Sequence, residues 1–422
     1  MAGPVRELLG DRRFASLLVS RGISVYGSSL GPVALAFGIL GLPHATPTRL
    51  SVVEAANLLP MLLFILLGGV IADRRSRMRL LVVAESVSGV AWAGIAVLIG
   101  VRHAPTLALV ALAFVAGCGI AILAPTMSGV VPELVPADKL QSGNAVLRIT
   151  INGSRVLGLA SAGVLVAYAG AGWALGVDAA TYAISAVLLF STGPGAAVVA
   201  ATTPLLADLR AGAREFFSRQ WLWVIVAVAS FMVAVSEASV GVLGPIVAKE
   251  HYGGARAWSA IAVAGAVGTI AGSGLALRLK PRRPLLVASV AGFGLGAPML
   301  ALGLPLPLAG PVIAAFAAGV AVDVFGVLWD TTMQREIAPD MLSRVSAYDW
   351  LGSIGLAPIG LVAAGPLATA FGARHAELGC AGVTVLASAL ALLSPQVRQL
   401  RAPDEPPRKQ PGPTGVGQAE EV

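Results

Sequence analysis

Long apolar stretches follow one another along almost the whole chain. A helix that spans a bilayer needs about 20 mainly apolar residues. The composition supplies them, because 56% of the 422 residues are hydrophobic and only 12% are charged, whereas a soluble globular chain carries roughly 25% charged residues. The sequence therefore predicts an all-α polytopic membrane protein with twelve transmembrane helices, at 14–40, 50–72, 80–100, 105–131, 144–169, 172–193, 221–247, 257–278, 284–303, 309–330, 345–371 and 375–394.

The loop at 69–81 carries a cluster of positive charge that predicts the orientation of all twelve helices. Its four arginines are Arg74, Arg75, Arg77 and Arg79, and short loops rich in Lys and Arg remain in the cytoplasm. With this loop inside, the cytoplasmic loops and tails hold 21 Lys and Arg, and the opposite side holds five. We expect both termini in the cytoplasm and a multi-pass protein of the inner membrane of a bacterial cell.

The basic and reactive residues exclude several classes of protein. The formal net charge is +7, but the basic residues lie in short loops without interleaved aromatic residues, so nucleic acid is not an expected partner. Cys118 and Cys380 fall inside apolar stretches, which argues against disulfides and metal clusters. Neither an HExxH nor a GxxxxGK[ST] motif is present, so we expect no metal, no cofactor, no enzymatic activity and no direct use of ATP.

The chain divides into two halves of six predicted helices each. The longest interior hydrophilic stretch follows the sixth helix and separates two expected six-helix bundles, 1–193 and 221–394. The linker at 194–220 contains an amphipathic segment, expected on the cytoplasmic membrane surface, whose apolar side chains are Leu205, Leu206, Leu209, Phe216 and Phe217. The tail at 395–422 is rich in proline, glycine and charge and is expected to be disordered.

The two halves also resemble each other in sequence. A shift of 202 residues places four glycines in register across the fifth and eleventh helices, aligning Gly153, Gly158, Gly163 and Gly170 with Gly355, Gly360, Gly365 and Gly372. Two pseudo-symmetric bundles are typical of secondary transporters, which hold the substrate between their repeats.

Three motifs carry a resemblance to a known family. They are GVIADRRSR at 69–77, PELVP at 132–136 followed by Leu140, Asn144 and Ala145, and the pair Asp178 and Ala179. The first resembles the G-x-x-x-D-R-x-G-R loop between helices two and three of the major facilitator superfamily (MFS). The others are similar to its drug-exporter branch, which includes macrolide and siderophore (enterobactin-type) exporters. The resemblance covers about residues 6–394 and implies the MFS fold.

The resemblance also implies roles for the loop motif. Asp73, followed by Arg74, would act as part of a charge-relay latch that holds the halves together in one access state. Arg77 would anchor the start of helix three, and Gly69 would let neighbouring helices approach closely. The antiporter motif of the family has a Gly-Pro pair in helix five, whereas this chain has Leu159 in place of the proline, which weakens the inference to antiport from that motif.

Ionisable residues inside spans are costly and mark functional positions. Polar side chains at helical spacing predict a wet cavity, with Arg21, Ser24, Ser28, Glu54, Asn57 and Asn152 as its candidate residues. From the helical rise, Arg21 and Asp323 both lie on the order of 10 Å from the cytoplasmic face. In the family that the chain resembles, helices one, four, seven and ten line the central cavity, so the resemblance implies that these two residues face each other across it. Arg155 and Asp178 lie at nearby depths on consecutive helices and form an expected structural ion pair.

Glu237 and Asp323 are the candidates for proton coupling. Burial favours the neutral form of a lone carboxylate, so such a group can bind and release protons near neutral pH. The alternative for each is a contact with backbone or water only.

These features favour a secondary active transporter, and the resemblance favours proton-driven efflux of small amphipathic organic molecules, such as drugs, antibiotics or a secreted metabolite. A nutrient importer has the same architecture, and only the resemblance argues against it. A membrane-embedded enzyme would need a cluster of catalytic groups at one depth, and a transporter-like sensor would need longer tails or loops. The expected partners are a small-molecule substrate, protons and membrane lipids, the energy source is the proton gradient, and the protein is expected to be a monomer.

Overall fold

The computed structural model describes residues 7–72, 76–136, 139–193 and 205–401. The first half contains α1 (Arg12–Leu40), α2 (Pro47–Ala72), α3 (Arg77–Gly100), α4 (Thr106–Leu134), α5 (Leu140–Tyr168) and α6 (Ala171–Ser191). A linker helix (Leu205–Ser218) follows. The second half contains α7 (Gln220–His251), α8 (Ala255–Ala276), α9 (Pro284–Gly303), α10 (Ala309–Glu336), α11 (Pro339–Ile354, continued as Ala357–Phe371) and α12 (Ala373–Leu393), before a short helix, Pro395–Gln399.

The predicted fold class is confirmed. Over the residues that the structure describes, eleven helices are long and apolar enough to cross a membrane. The twelfth, α2, has 26 residues, which exceeds the roughly 20 that a bilayer requires. The largest errors in the predicted boundaries concern α10 and α11. Helix α10 ends six residues later than predicted and α11 begins six residues earlier, because both helices continue past the apolar segment into polar sequence.

Three helices of the second half depart from regular α-helical geometry shortly before a proline. Proline lacks an N–H donor and its ring clashes with the carbonyl four residues earlier, so a local change of helix type accommodates it. The departures are a π-helical segment, Ser239–Leu243, ahead of Pro245, a 3-10 turn, Gly294–Gly296, ahead of Pro298, and the break in α11 ahead of Pro358.

Each half is a bundle in which small residues allow close helix packing. In the first half α1 packs on α5 and α6, while α3 packs on α4 and α6. In the second half α8 packs on α10, while α7 packs on α11 and α12. Lipid tails are as apolar as leucine, so association of these helices depends on van der Waals packing and on interhelical hydrogen bonds.

The two halves meet through α5 with α8, α2 with α11, and α1 with α7. A Cβ added at Gly163 of α5 would lie 2.8 Å from the backbone oxygen of Ala255 in α8. A Cβ added at Gly365 of α11 would lie 2.5 Å from Cα of Thr48 in α2. Lys249 Nζ in α7 donates to the carbonyl of Leu40, the last residue of α1. These contacts all lie towards the ends of the helices remote from the arginine loop, so the halves are joined at that end.

The glycine repeat found in the sequence has equivalent structural roles in the two halves. Gly163 and Gly365 both make the contacts between halves described above. Gly158 approaches the backbone oxygen of Tyr26 in α1, and Gly360 that of Ala234 in α7, with an added Cβ only 2.4 and 2.1 Å away. Gly170 and Gly372 precede α6 and α12 with φ values of +91° and +81°, a region in which glycine is strongly preferred.

The amphipathic segment of the linker forms a helix that packs on the start of α11. Phe216 is buried beside Tyr348, with ring centroids 6.0 Å apart, whereas Phe217 is exposed. The side chains of Leu205, Leu206 and Leu209 lie outside the described residues, as do 194–204 and the tail beyond 401. The linker boundary at 194–220 therefore stays a prediction, as does the tail from 402. The tail that was predicted to be disordered from 395 instead begins with the helix Pro395–Gln399, in which Val397 is buried.

The contact at Gly365 predicts a destabilising substitution. In Gly365→Ala the new methyl group meets the backbone of α2 rather than a flexible side chain, so we expect a loss of about 1–3 kcal/mol of stability from overpacking. The measurement is thermal unfolding of the purified protein in detergent. Gly382→Ala is the matched control, because an added Cβ there has no neighbour within 4 Å and alanine favours the helix by about 1 kcal/mol. Equal melting temperatures for the two variants would contradict the contact.

Candidate functional site

A buried ion pair lies inside the first half, between α1 and α3. Arg21 Nη1 lies 3.1 Å from Glu85 Oε1, and Ser24 Oγ donates to the same carboxylate at 2.9 Å from Oε2. Arg21 is 8% exposed, Ser24 2% and Glu85 0%. Such a pair is stable in a dry interior only when the charges are close and also hydrogen-bonded. This arrangement meets both conditions at the carboxylate, although Arg21 Nε has no hydrogen-bond partner among the described residues.

The structure contradicts the predicted placement of Arg21 opposite Asp323. Arg21 points into the first half towards Glu85. Asp323 lies in the second half, where Ser273 of α8 donates to its Oδ2 at 2.7 Å. The depth calculated from the sequence was a poor guide to this pairing. Two residues at the same depth face each other only if both helices are rotated so that the two side chains point towards each other, and this rotation is set by packing. Arg21 and Ser24 are therefore not cavity residues in this conformation, and Ser28 is half-buried and bonded to the carbonyl of Val25.

The predicted ion pair between Arg155 and Asp178 is also wrong. Arg155 is exposed on α5. Asp178 is completely buried on α6, and neither of its carboxylate oxygens has a hydrogen-bond partner among the described residues. The carboxylate lies against α1, where a Cβ added at Gly27 or Gly31 would be 3.0 or 3.1 Å from it. Nearby depth on consecutive helices did not bring the two side chains together, because they lie on different faces.

Glu54 and Glu237 both lie near the contact between the two halves of the chain. Glu54 of α2 packs beside Gly241 in the π-helical segment of α7, close enough to Glu237 for the two charges to act on each other. Glu54 is half-buried, and its Oε1 is buried without a hydrogen-bond partner in the described structure. Asn57, predicted to share a polar face with Glu54, instead donates to the carbonyl of Ala113 in α4 at 3.1 Å. Asn57 therefore links α2 to α4 within the first half.

Sequence reasoning missed one buried carboxylate, Glu377 of α12. It is completely buried, and Ser239 Oγ, in the π-helical segment of α7, lies 2.8 Å from Oε2 and 2.9 Å from Oε1. The signal was present, since Glu377 lies in a predicted span. It stands only a few residues from a predicted helix end, where a charge is ordinarily solvated.

A polar stripe on α5 faces the second half of the chain. Arg148, Asn152 and Arg155 lie on this stripe and all three are exposed. Arg148 lies close enough to Asp330 of α10 to act on its charge. Arg148 therefore lies near the second half, while the role of Asn152 as a cavity residue stays a prediction.

The loop motif is connected to the second motif by an ion pair. Arg77, the first residue of α3, lies 2.8 Å from Glu133 near the end of α4, and its role as an anchor of helix three stays a prediction. Gly69 lies within α2. Asp73 and Arg74 lie outside the described residues, so the latch stays a prediction. Over the described residues, no group of three metal-ligating side chains is present.

The comparison with known proteins decides the family. The match to the transmembrane secretion effector family covers residues 7–417. The chain belongs to this family of the major facilitator superfamily. Similar relatives are exporters. The enterobactin exporter EntS of Citrobacter koseri is 26% identical over 409 residues, 93% of this chain and 94% of the relative. The multidrug efflux pump Tap of Mycobacterium tuberculosis is 24% identical over 363 residues, 83% and 86% of the two chains.

Solved transporter structures share the fold. The nucleoside transporter NupG matches with a TM-score of 0.71 at 12% identity, over 90% of this chain and 98% of that one. A bacterial homologue of the iron transporter ferroportin in the inward-facing state matches with a TM-score of 0.72 at 16% identity, over 90% and 98%. At such low identity the likeness concerns the fold of this family member and not its substrate.

The pair of Arg21 and Glu85 predicts a large effect of breaking it. In Arg21→Met the buried carboxylate loses its counter-ion, which costs about 3–5 kcal/mol. Adding Glu85→Gln removes the unpaired charge, so we expect the double variant to recover most of the stability. Denaturant unfolding of the purified protein measures both variants against the wild type. Additive losses in the double variant would show that the two side chains do not interact.

Proposed function

We propose that the protein is a secondary active transporter that exports small amphipathic organic molecules, drugs, antibiotics or a secreted metabolite, in exchange for protons. The observation that carries the proposal is the pair of exporter relatives, which align over most of both chains. Five solved structures with a similar fold are also transporters. A transporter of this kind needs no cofactor and no catalytic residue, in keeping with a protein that is not an enzyme. We further propose a monomer in the bacterial inner membrane with both termini in the cytoplasm.

The distribution of contacts between the halves supports an alternating-access mechanism. The close contacts at Gly163, Gly365 and Lys249 join the halves at the end remote from the arginine loop. With that loop in the cytoplasm, this is the outer end. We assign the conformation as inward-facing, a state named for two of the similar structures. Rocking of the halves would then separate these contacts and open the site outwards.

Buried carboxylates support coupling to protons. Glu237 and Asp323 remain our candidates for this coupling. The position of Glu237 beside Glu54, at the contact between halves, gives protonation a direct effect on that contact, because two like charges repel each other in a low-dielectric interior. Import of a nutrient would use the same architecture, and we place it second because the exporter relatives argue against it.

The substrate is best sought without assumptions about its class. We expect a deletion strain to become more sensitive to some members of a broad toxin panel, or to retain a metabolite that the parent strain secretes. Growth assays and mass spectrometry of culture supernatants measure the two outcomes, and re-expression of the protein is the control. A deletion strain that shows neither effect but fails to take up a nutrient would favour the importer.

Efflux is expected to require the proton gradient. For a compound identified by the screen, or for ethidium as a fluorescent probe, addition of an uncoupler to energised cells should stop efflux, because no nucleotide-binding motif is available to drive it. The readout is intracellular fluorescence over time, with cells that lack the transporter as the baseline. Efflux that continues undiminished after the gradient collapses would refute proton coupling.

Substitution of the two coupling candidates tests their role separately. We expect Glu237→Gln and Asp323→Asn each to reduce the efflux rate by about tenfold, equivalent to ~1.4 kcal/mol, because an amide cannot carry the proton. Both variants should still reach the membrane, which immunoblotting of membrane fractions checks. Glu250→Gln, at an exposed carboxylate near the end of α7, is the matched control. Normal efflux in both variants would remove these two residues from the mechanism.

A further inference from the structure

Asp178 differs from the other buried acids of the described structure in having no partner. Three acidic side chains there are completely buried, Glu85, Asp178 and Glu377. Glu85 has Arg21 and Ser24 as partners, and Glu377 has Ser239. Both oxygens of Asp178 are buried without any hydrogen-bond partner. An isolated ionised carboxylate in such a place is strongly unfavourable, and a buried group of this kind is neutralised instead.

Among the residues that the structure describes, the surroundings of Asp178 offer no free positive charge that could neutralise it. On α1 the facing positions are Gly27 and Gly31, and the one cation of that helix nearby, Arg21, is bound to Glu85. On α3 the nearest charged group is Glu85 itself, whose negative charge opposes a second one. On α6 the neighbouring titratable group is Tyr182, and on α5 Arg155 is exposed. One guanidinium therefore faces two carboxylates.

We propose that Asp178 is a proton-binding site inside the first half of the bundle, occupied by a proton in the conformation seen here. The step is a proton transfer in which one O–H bond of a hydronium ion in the surrounding water breaks, one O–H bond forms on a carboxylate oxygen of Asp178, and a water molecule is left. The site is distinct from Glu237 and Asp323, which lie in the second half. Its use in transport rests on the proton coupling of the proposed function, whereas proton binding does not.

The packing of α1 on α6 links this proton to the conformation of the bundle. The absence of side chains at Gly27 and Gly31 lets α1 cover the carboxylate, and at Gly27 even a methyl group would collide with Thr181. A motion that separates α1 from α6 at these glycines would admit water to Asp178 and favour release of the proton. Helix α1 also contacts α7 of the second half, so such a motion accompanies any rearrangement of the contact between halves.

Infrared spectroscopy of the purified protein in lipid nanodiscs tests the proposal directly. The C=O stretch of a protonated carboxyl group is resolved from that of a carboxylate, and ¹³C labelling of aspartate separates Asp178 from buried glutamates. We expect a protonated aspartate band in the wild type at neutral pH, its loss in Asp178→Asn, and its retention in Asp330→Asn, which changes an exposed acid of α10. Absence of any protonated aspartate band in the wild type would overturn the proposal, and this result needs no variant to fold.

Three further outcomes are decisive. Arg21→Gln removes the counter-ion of Glu85, so we expect a second protonated band that aspartate labelling does not shift; an unchanged spectrum would contradict the charge assignment of the cluster. A band that persists in Asp178→Asn would assign the proton elsewhere and overturn the proposal. Loss of the band in Asp178→Asn together with efflux that resists uncouplers would leave the proton site established and refute the proposed function instead.

Discussion

The two halves of the protein meet where glycine lets the backbones of neighbouring helices touch. Gly163 faces the first turns of α8, and Gly365 faces the first turns of α2. Such contacts are made or lost as a unit, since a backbone cannot deform as a flexible side chain does. Because lipid supplies no hydrophobic drive between helices, this packing and a few hydrogen bonds hold one end of the bundle together. In the alternating-access mechanism that we propose, these contacts would have to separate for the site to open outwards.

A second constraint is that charge inside the bundle must be balanced. The described residues of the first half include one buried guanidinium and two completely buried carboxylates, and the pair of Arg21 and Glu85 uses the available positive charge. The second half places Glu377 on α12 against Ser239 of α7, as the first half places Asp178 on α6 against the glycines of α1. Each half therefore buries an acid on its last helix, facing its first helix. Of these two acids, only Asp178 lacks a hydrogen-bond partner among the described residues, which makes the two repeats chemically unequal.

The sequence was a good guide to the helices and a poor guide to their pairing. All twelve spans were predicted from apolar length, because a bilayer has a fixed thickness. The glycine register at a shift of 202 residues identified positions that the structure shows to be equivalent, from Gly158 and Gly360 to the positive φ values at Gly170 and Gly372. The side-chain pairs fared differently. Arg21 faces Glu85 rather than Asp323, and Asp178 does not meet Arg155.

The sequence by itself determined the membrane environment, the number of helices and the division into two related halves, since these follow from hydrophobic length, composition and internal repetition. It also marked most of the ionisable residues inside the spans, because any charge in an apolar segment is conspicuous. Only the tertiary structure decided which of those charges meet. Two residues at one depth can lie a bundle's width apart or in contact, depending on how each helix is rotated about its axis. The rotation of each helix is set by the packing of all its neighbours. This packing placed Glu54 near Glu237 and left the Asp178 carboxylate without a hydrogen-bond partner among the described residues.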